Sequence, residues 1–301
     1  MSSVAKKQLK KQTAKISGKR AEEFNFKSSL KGPIGDMSLL DQSLFFSEVS
    51  MISYLDVAEC NKAAGMLGFR DGKFFECDGS QAYWFQTETD SVVACRGTEA
   101  NEWNDIQADA NALTALAETV GKVHRGFKRE VDDLWPYLEE ALIDNKKKLW
   151  FTGHSLGGAM AKICAGRCLL SHIRSEPAGL FTYGSPRVGD KAYVNYTDIP
   201  HYRWVNNNDV VTRVPPFWLG YRHSGQEMYL DRNGKLRDLT GWRRVSDRMQ
   251  GFYKELISQW RIDHLSDHAI VDYIEHISQM VRNGEEIPDS ILEKLDVEAK
   301  S

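Results

Sequence analysis

A serine between two glycines, Gly153-His154-Ser155-Leu156-Gly157, is the strongest candidate for nucleophilic chemistry in this chain. A hydroxyl attacks a carbonyl carbon only when a base takes its proton, and the base needs an acid to orient it. The serine must also stand clear of the backbone on a turn so sharp that side chains at 153 and 157 would collide there. Leu149-Trp150-Phe151-Thr152 just before it reads as a short buried strand, and the small-residue run 156–173 reads as a helix. Gly158, Ala159 and Ala161 let that helix begin close against the strand. Its first amides then face the serine, where they favour a developing negative charge. This is the layout of an acyl-transfer nucleophile. The bland alternative is a structural turn whose serine only caps the helix.

With such a turn the chain order is serine, acid, histidine. Asp209 stands in Asn206-Asn207-Asn208-Asp209-Val210-Val211, a loop tolerant of turn geometry that follows the expected strand Tyr202 to Val205. It could instead be an Asx-turn aspartate. Histidines 223, 264, 268 and 276 follow. His223 comes too soon after Asp209 for a loop and strand to intervene, and His276 falls inside the last amphipathic run, where a surface position is expected. His264 and His268 remain. His268 directly precedes the periodic residues Ala269, Ile270, Tyr273, Ile274 and Ile277, so it opens a helix from which it can reach over a sheet edge, and it is favoured over His264. A zinc reading of the two lacks a third ligand or an adjacent glutamate. No metal or organic cofactor is expected.

The elements needed to hold these residues are visible in the pattern. Leu39, Leu40, Leu44, Phe45, Val49, Ile52 and Leu55 recur at helical spacing. Runs 81–86 and 91–96, separated by Thr87-Glu88-Thr89-Asp90, suggest a hairpin. A helix is expected over 126–143, and further strands over 178–183 and 202–205. Strands alternating with helices imply an α/β fold, a mainly parallel central sheet with helices on both faces. Residues 1–35 are set apart by lysines and arginines without an acid before Glu22, and are read as a basic, flexible N-terminal segment; residues 36–301 are read as one domain.

The bulk composition excludes several classes. A net charge of −3 gives no general pull toward nucleic acid, and no nucleic-acid partner is expected. Five cysteines, with Cys164 and Cys168 on one apolar helix face, read as buried small side chains rather than a disulfide framework or metal site. The N-terminus lacks the apolar core of a cleavable signal peptide, and no run is long enough to span a membrane. The expectation is a cytoplasmic protein, with export by a leaderless route left open.

Taken with Cys95-Arg96-Gly97-Thr98, Val123-His124-Arg125-Gly126-Phe127, Tyr183-Gly184-Ser185-Pro186-Arg187-Val188-Gly189, Val214-Pro215-Pro216 and Asp267-His268, the sequence resembles the class 3 lipases from about residue 40 to 280. The resemblance implies an α/β-hydrolase fold and hydrolysis of lipid or other carboxylic esters, with contact at a lipid–water interface. It also implies Ser155, Asp209 and His268 as a catalytic triad, and the backbone amides of Thr98 and Leu156 as the oxyanion hole. In that family the segment after the Arg-Gly-Thr match often forms a lid, here about 99–120, with Leu113, Leu116 and Ala117 as candidate apolar contacts. The chain departs from the family's secreted fungal members in showing neither a leader nor a disulfide pattern, and in an added amphipathic run, 243–260. That run reads as packing on the domain more readily than as a lipid-docking face.

Overall fold

The computed structural model describes residues 16, 18–97, 114–118, 120–207, 209–238 and 268–291. Two helices come first, α1 (Leu39–Ile52) and α2 (Val57–Leu67). The helical spacing that runs on through Leu55 is cut between them because Asp56 starts a new helix, its side chain accepting from the Glu59 amide at 3.0 Å. Strands β1 (Asp71–Cys77) and β2 (Ser80–Gln86) pair as a hairpin closed by Asp78-Gly79, both at positive φ. That is the two-residue turn chemistry favoured by strand twist. The expected second hairpin is present as β2 with β3 (Asp90–Cys95).

Next come the short pair β4 (Thr114–Leu116) and β5 (Lys122–His124), then α3 (Arg125–Leu142), β6 (Lys148–His154) and α4 (Leu156–Cys168). Strand β7 (Pro177–Tyr183), the short α5 (Lys191–Tyr196), β8 (His201–Asn206), β9 (Gln226–Leu230), β10 (Leu236–Arg237) and α6 (Ile270–Arg282) complete the order. Eight strands form one sheet, β1-β2-β3-β6-β7-β8-β9-β10, and every pairing from β3 through β9 is parallel. Its central strands are covered on both faces: all of β3 is buried, and all of β6 beyond Lys148.

One core cluster holds Leu44, Phe45 and Val49 of α1 with Tyr273 and Ile277 of α6. The opposite cluster holds Phe127, Val131 and Leu134 of α3 with Ala159, Ile163 and Cys164 of α4. The sheet is therefore sandwiched, as expected for the α/β class. Cys60, Cys95, Cys164 and Cys168 are buried with their thiols free. Among the described residues no helix is long and apolar enough to cross a membrane.

Four expectations fare differently. The basic stretch 1–15 lies outside the described residues, yet the segment boundary placed at 35 falls within packed structure. Ala21 and Ile34 are fully buried, and Ile34 donates its amide to Asp90 at 3.1 Å. A segment rich in lysine can still pack, because its apolar residues face inward while the ammonium groups stay in water. Of the expected lid, Leu113 lies outside the described residues, Leu116 is exposed on β4, and Ala117 packs against the α3–α4 core. The expected helix 243–260 is also outside them. His276, expected at the surface, packs its ring against Gly234 beyond β9.

Candidate active site

The nucleophile turn is built as the glycines imply. Ser155 has φ 59° and ψ −130°, a backbone conformation that side-chain-bearing residues rarely adopt. Its amide donates to the Tyr183 carbonyl at 2.9 Å, which ties the turn between β6 and α4 to the end of β7. A side chain on Gly157 would run into the Cys95 carbonyl, so this glycine lets the end of β3 lie against the first turn of α4. Leu156 opens that helix, and its amide is among those with no partner inside the helix. Thr98 lies outside the described residues; the chain before it, at Gly97, sits beside the amide of Gly157.

The structure brings Ser155, His268 and Asp209 together from three distant parts of the chain. His268 Nε2 is 2.8 Å from Ser155 Oγ, and its Nδ1 is 3.0 and 2.9 Å from the two oxygens of Asp209. A carboxylate only accepts, so Nδ1 carries the proton and donates. Nε2 is then left with a lone pair pointing at the serine. Asp209 follows β8 on its loop and is completely buried. Its Oδ1 also accepts from the Val211 amide at 2.9 Å, and its Oδ2 from the Tyr273 hydroxyl at 2.6 Å. Tyr273, on α6, in turn accepts from the Asn206 amide at 3.0 Å. A buried carboxylate with this many donors is held in one orientation.

A second histidine secures the first. His154 Nε2 lies 2.7 Å from the His268 carbonyl oxygen, so it must donate there. Its Nδ1 then accepts from the Tyr54 hydroxyl at 3.0 Å, and Tyr54 also takes the Gly97 amide. Burial and the neighbouring His268 push the pKa of His154 well below its ordinary value, so the ring stays neutral, as this pattern requires. Burial likewise pushes the Tyr54 phenol well above its usual range. The Tyr54–His154 link thus joins the strand end at Gly97 to the backbone of His268. Gly184 makes room at the centre: at φ 59°, a side chain there would sit 2.7 Å from Asp209 Oδ2 and 2.8 Å from His268 Nδ1.

The remaining histidines are accounted for as follows. His223 Nε2 reaches the Thr212 carbonyl at 2.7 Å, away from Ser155, and His264 lies outside the described residues. Among the described residues no cluster of His, Cys, Asp and Glu could hold a metal ion.

Residues 92–218 match the sequence profile of the class 3 lipases. Over this stretch the chain is similar to the class 3 lipases. It is 38% identical over 122 residues to a lipase of Rhizomucor miehei, covering 37% of this chain and 34% of that one. It is 35% identical over 128 residues to a secreted mono- and diacylglycerol lipase of Fusarium solani, covering 39% and 37%. The chain thus spans about a third of the length of these curated relatives. In three dimensions it resembles the mono- and diacylglycerol lipase of Aspergillus oryzae with a TM-score of 0.61 at 20% identity, over 81% of this chain and 99% of that one. That likeness establishes the α/β-hydrolase fold.

Three side chains around the class 3 lipase motif escaped the sequence reading: Tyr54, His154 in its bonding role, and Tyr273. Tyr54 and His154 are 100 residues apart, and no spacing rule links them. Tyr273 was visible only as one apolar-periodic position of α6. Its hydroxyl, directed inward at Asp209, was the signal available in its residue type, since a buried tyrosine needs a polar partner.

Proposed function

We propose that this protein is a carboxylic ester hydrolase that cleaves acylglycerol esters through Ser155, His268 and Asp209. The observation that carries the reading is the bonding of one imidazole, donating to Asp209 and lying 2.8 Å from Ser155 Oγ with its free nitrogen. His268 takes the serine proton as Oγ attacks the ester carbonyl, while Asp209 stabilises the imidazolium that forms. The charge that develops on the carbonyl oxygen is met by backbone amides, assigned to Leu156 and Thr98 by family resemblance. His268 then protonates the departing alcohol. A water, deprotonated by the same nitrogen, attacks the acyl-serine and releases the acid. No cofactor enters this sequence. The family match and the names of the relatives support a lipid ester as substrate, and with it contact at a lipid–water interface.

The test is covalent labelling and turnover on the full chain. Wild type should react with a fluorophosphonate and hydrolyse both a p-nitrophenyl ester and an emulsified acylglycerol. Ser155→Ala should lose labelling and lower kcat by roughly 10⁶ with its fold retained. A folded Ser155→Ala protein keeping more than a few per cent of the wild-type rate would transfer the chemistry elsewhere.

A further inference from the structure

We infer that a monovalent halide ion, chloride in ordinary solution, binds in a small pocket beside the nucleophile helix α4, held by the ammonium of Lys162. Lys162, Ser185, Tyr193, His201, Arg203 and Ser224 are among the residues that line this pocket. Its volume of about 10 Å³ admits one particle of water or halide size, too little for a phosphate. Lys162 is the reason to expect an ion. It is 1% exposed, on a helix buried over its whole length. Its Nζ can donate three hydrogen bonds, and gives one to the Thr197 carbonyl at 2.7 Å. Among the described residues no carboxylate bonds it; Asp198, the acid whose charge reaches it, is exposed.

The neighbouring groups do not supply the missing negative charge. Arg203 Nη2 and Glu227 Oε2 pair with each other at 2.8 Å, so their charges cancel. His201 is bonded at both nitrogens, to Thr182 Oγ1 at 2.8 Å and to Ser224 Oγ at 3.0 Å. Desolvation, and then the charges of Lys162 and Arg203, push its pKa well below the ordinary value, so the ring is neutral and the potential around it positive. A buried ammonium in such surroundings either loses its proton or gains a counter-ion. A water would accept a bond and leave the charge standing. A halide accepts donors from any direction and cancels the charge as well. The pocket also adjoins the frame of the site: Ser185 follows Gly184, and a side chain on Gly158, one turn before Lys162, would meet Ser185 at 2.8 Å. A bound ion would therefore brace α4 against the turn after β7. It takes no part in acyl transfer, so the inference is independent of the ester-hydrolase reading.

Binding is linked to a proton. Desolvation lowers the pKa of Lys162 to about 7, so above that pH the empty pocket faces a neutral amine, and a halide that needs the charged form must bind more weakly. Around the pocket stand His201 and Arg203 of β8 with Glu227 of β9, Arg222 and His223 before β9, and Tyr193 and Asp198 on the α5 side. All are kept in a Lys162→Met protein, so their titration cancels when it is compared with wild type. The melting temperature of the full chain in sodium chloride and in sodium gluconate, at equal ionic strength, reads the site, because gluconate is too large to enter. At pH 6, about 0.2 M chloride should raise the melting temperature over gluconate by about 2 °C or more beyond the same difference in Lys162→Met. At pH 9 that excess should fall by about half or more. Crystals of wild type grown with bromide in place of chloride should show an anomalous peak within hydrogen-bond reach of Lys162 Nζ, a reading that stands even if Lys162→Met folds poorly. Equal chloride responses in folded wild type and variant, an excess that does not fall with pH, or a pocket holding only water beside bromide overturns the proposal.

Discussion

Ser155 holds the most strained backbone in the site, and the strain can be measured apart from the chemistry. At φ 59° a residue with a Cβ pays about 1–3 kcal/mol that glycine avoids. Ser155→Gly and Ser155→Ala should both be inactive, but the glycine variant should melt about 2 °C or more above the alanine variant. Equal or reversed melting temperatures would mean that the turn relaxes without its serine. The base is testable at the same scale. His268→Ala should reduce kcat by at least about 10³-fold, whereas His264→Ala and His223→Ala should cost far less. Tyr273→Phe removes the hydroxyl that donates to Asp209 at 2.6 Å and leaves the ring in place. It should lower kcat about three- to tenfold with KM unchanged. A KM effect alone would indicate that Tyr273 supports the fold of the pocket and not the orientation of the acid.

Among the elements, the turn that ends β7 has the tightest tolerance. Gly184 lies where the carboxylate of the β8 loop meets the imidazole at the start of α6, and a methyl group there cannot coexist with the bonds between them. Gly184→Ala should therefore cost about 1–3 kcal/mol of stability and, separately, at least about 100-fold in kcat. Near-normal kinetics would show that β7 does not confine the pair. The β6–α4 turn, by comparison, was evident in its glycine spacing, because local sterics alone decide it. Strands β1 and β9 were not anticipated. The run Asp71–Cys77 is mostly polar and exposed, since it forms one edge of the sheet and covers little core. Its Asp78-Gly79 turn carries a clear local hairpin signal.

For the molecule as a whole, buried basic groups set how stability responds to pH. His154 and His201 are buried and held neutral, their pKa values pushed well below the ordinary histidine value chiefly by desolvation. Below about pH 6.5 the unfolded chain binds protons at these sites that the folded chain does not, so stability falls as pH drops through that range. Lys162, buried with Nζ on the Thr197 carbonyl at 2.7 Å, has its pKa lowered by desolvation to about 7. Between about pH 7 and its unfolded value near 10.5, the unfolded chain again holds the extra proton, and stability rises with pH. The melting temperature should accordingly climb from pH 5 to 9. His201→Gln should flatten the acidic part of that rise, and Lys162→Met the alkaline part. A profile unchanged in both variants would mean that these groups ionise within the folded protein.

The sequence by itself singled out the candidate nucleophile and acid, and it carried the alternation of strands and helices and the family resemblance. Each depends on local rules: glycine at a crowded turn, a strand's unbroken apolar run, a helix's spacing. It ranked His268 above His264 only by position before a helix. What the tertiary structure decided was the company these residues keep. The Tyr54–His154–His268 chain and the Tyr273–Asp209 bond join segments up to 114 residues apart, and the packing of residues 18–35 overrides their basic composition. Such contacts leave no periodic trace, because they arise where the sheet brings the ends of separate strands to one edge.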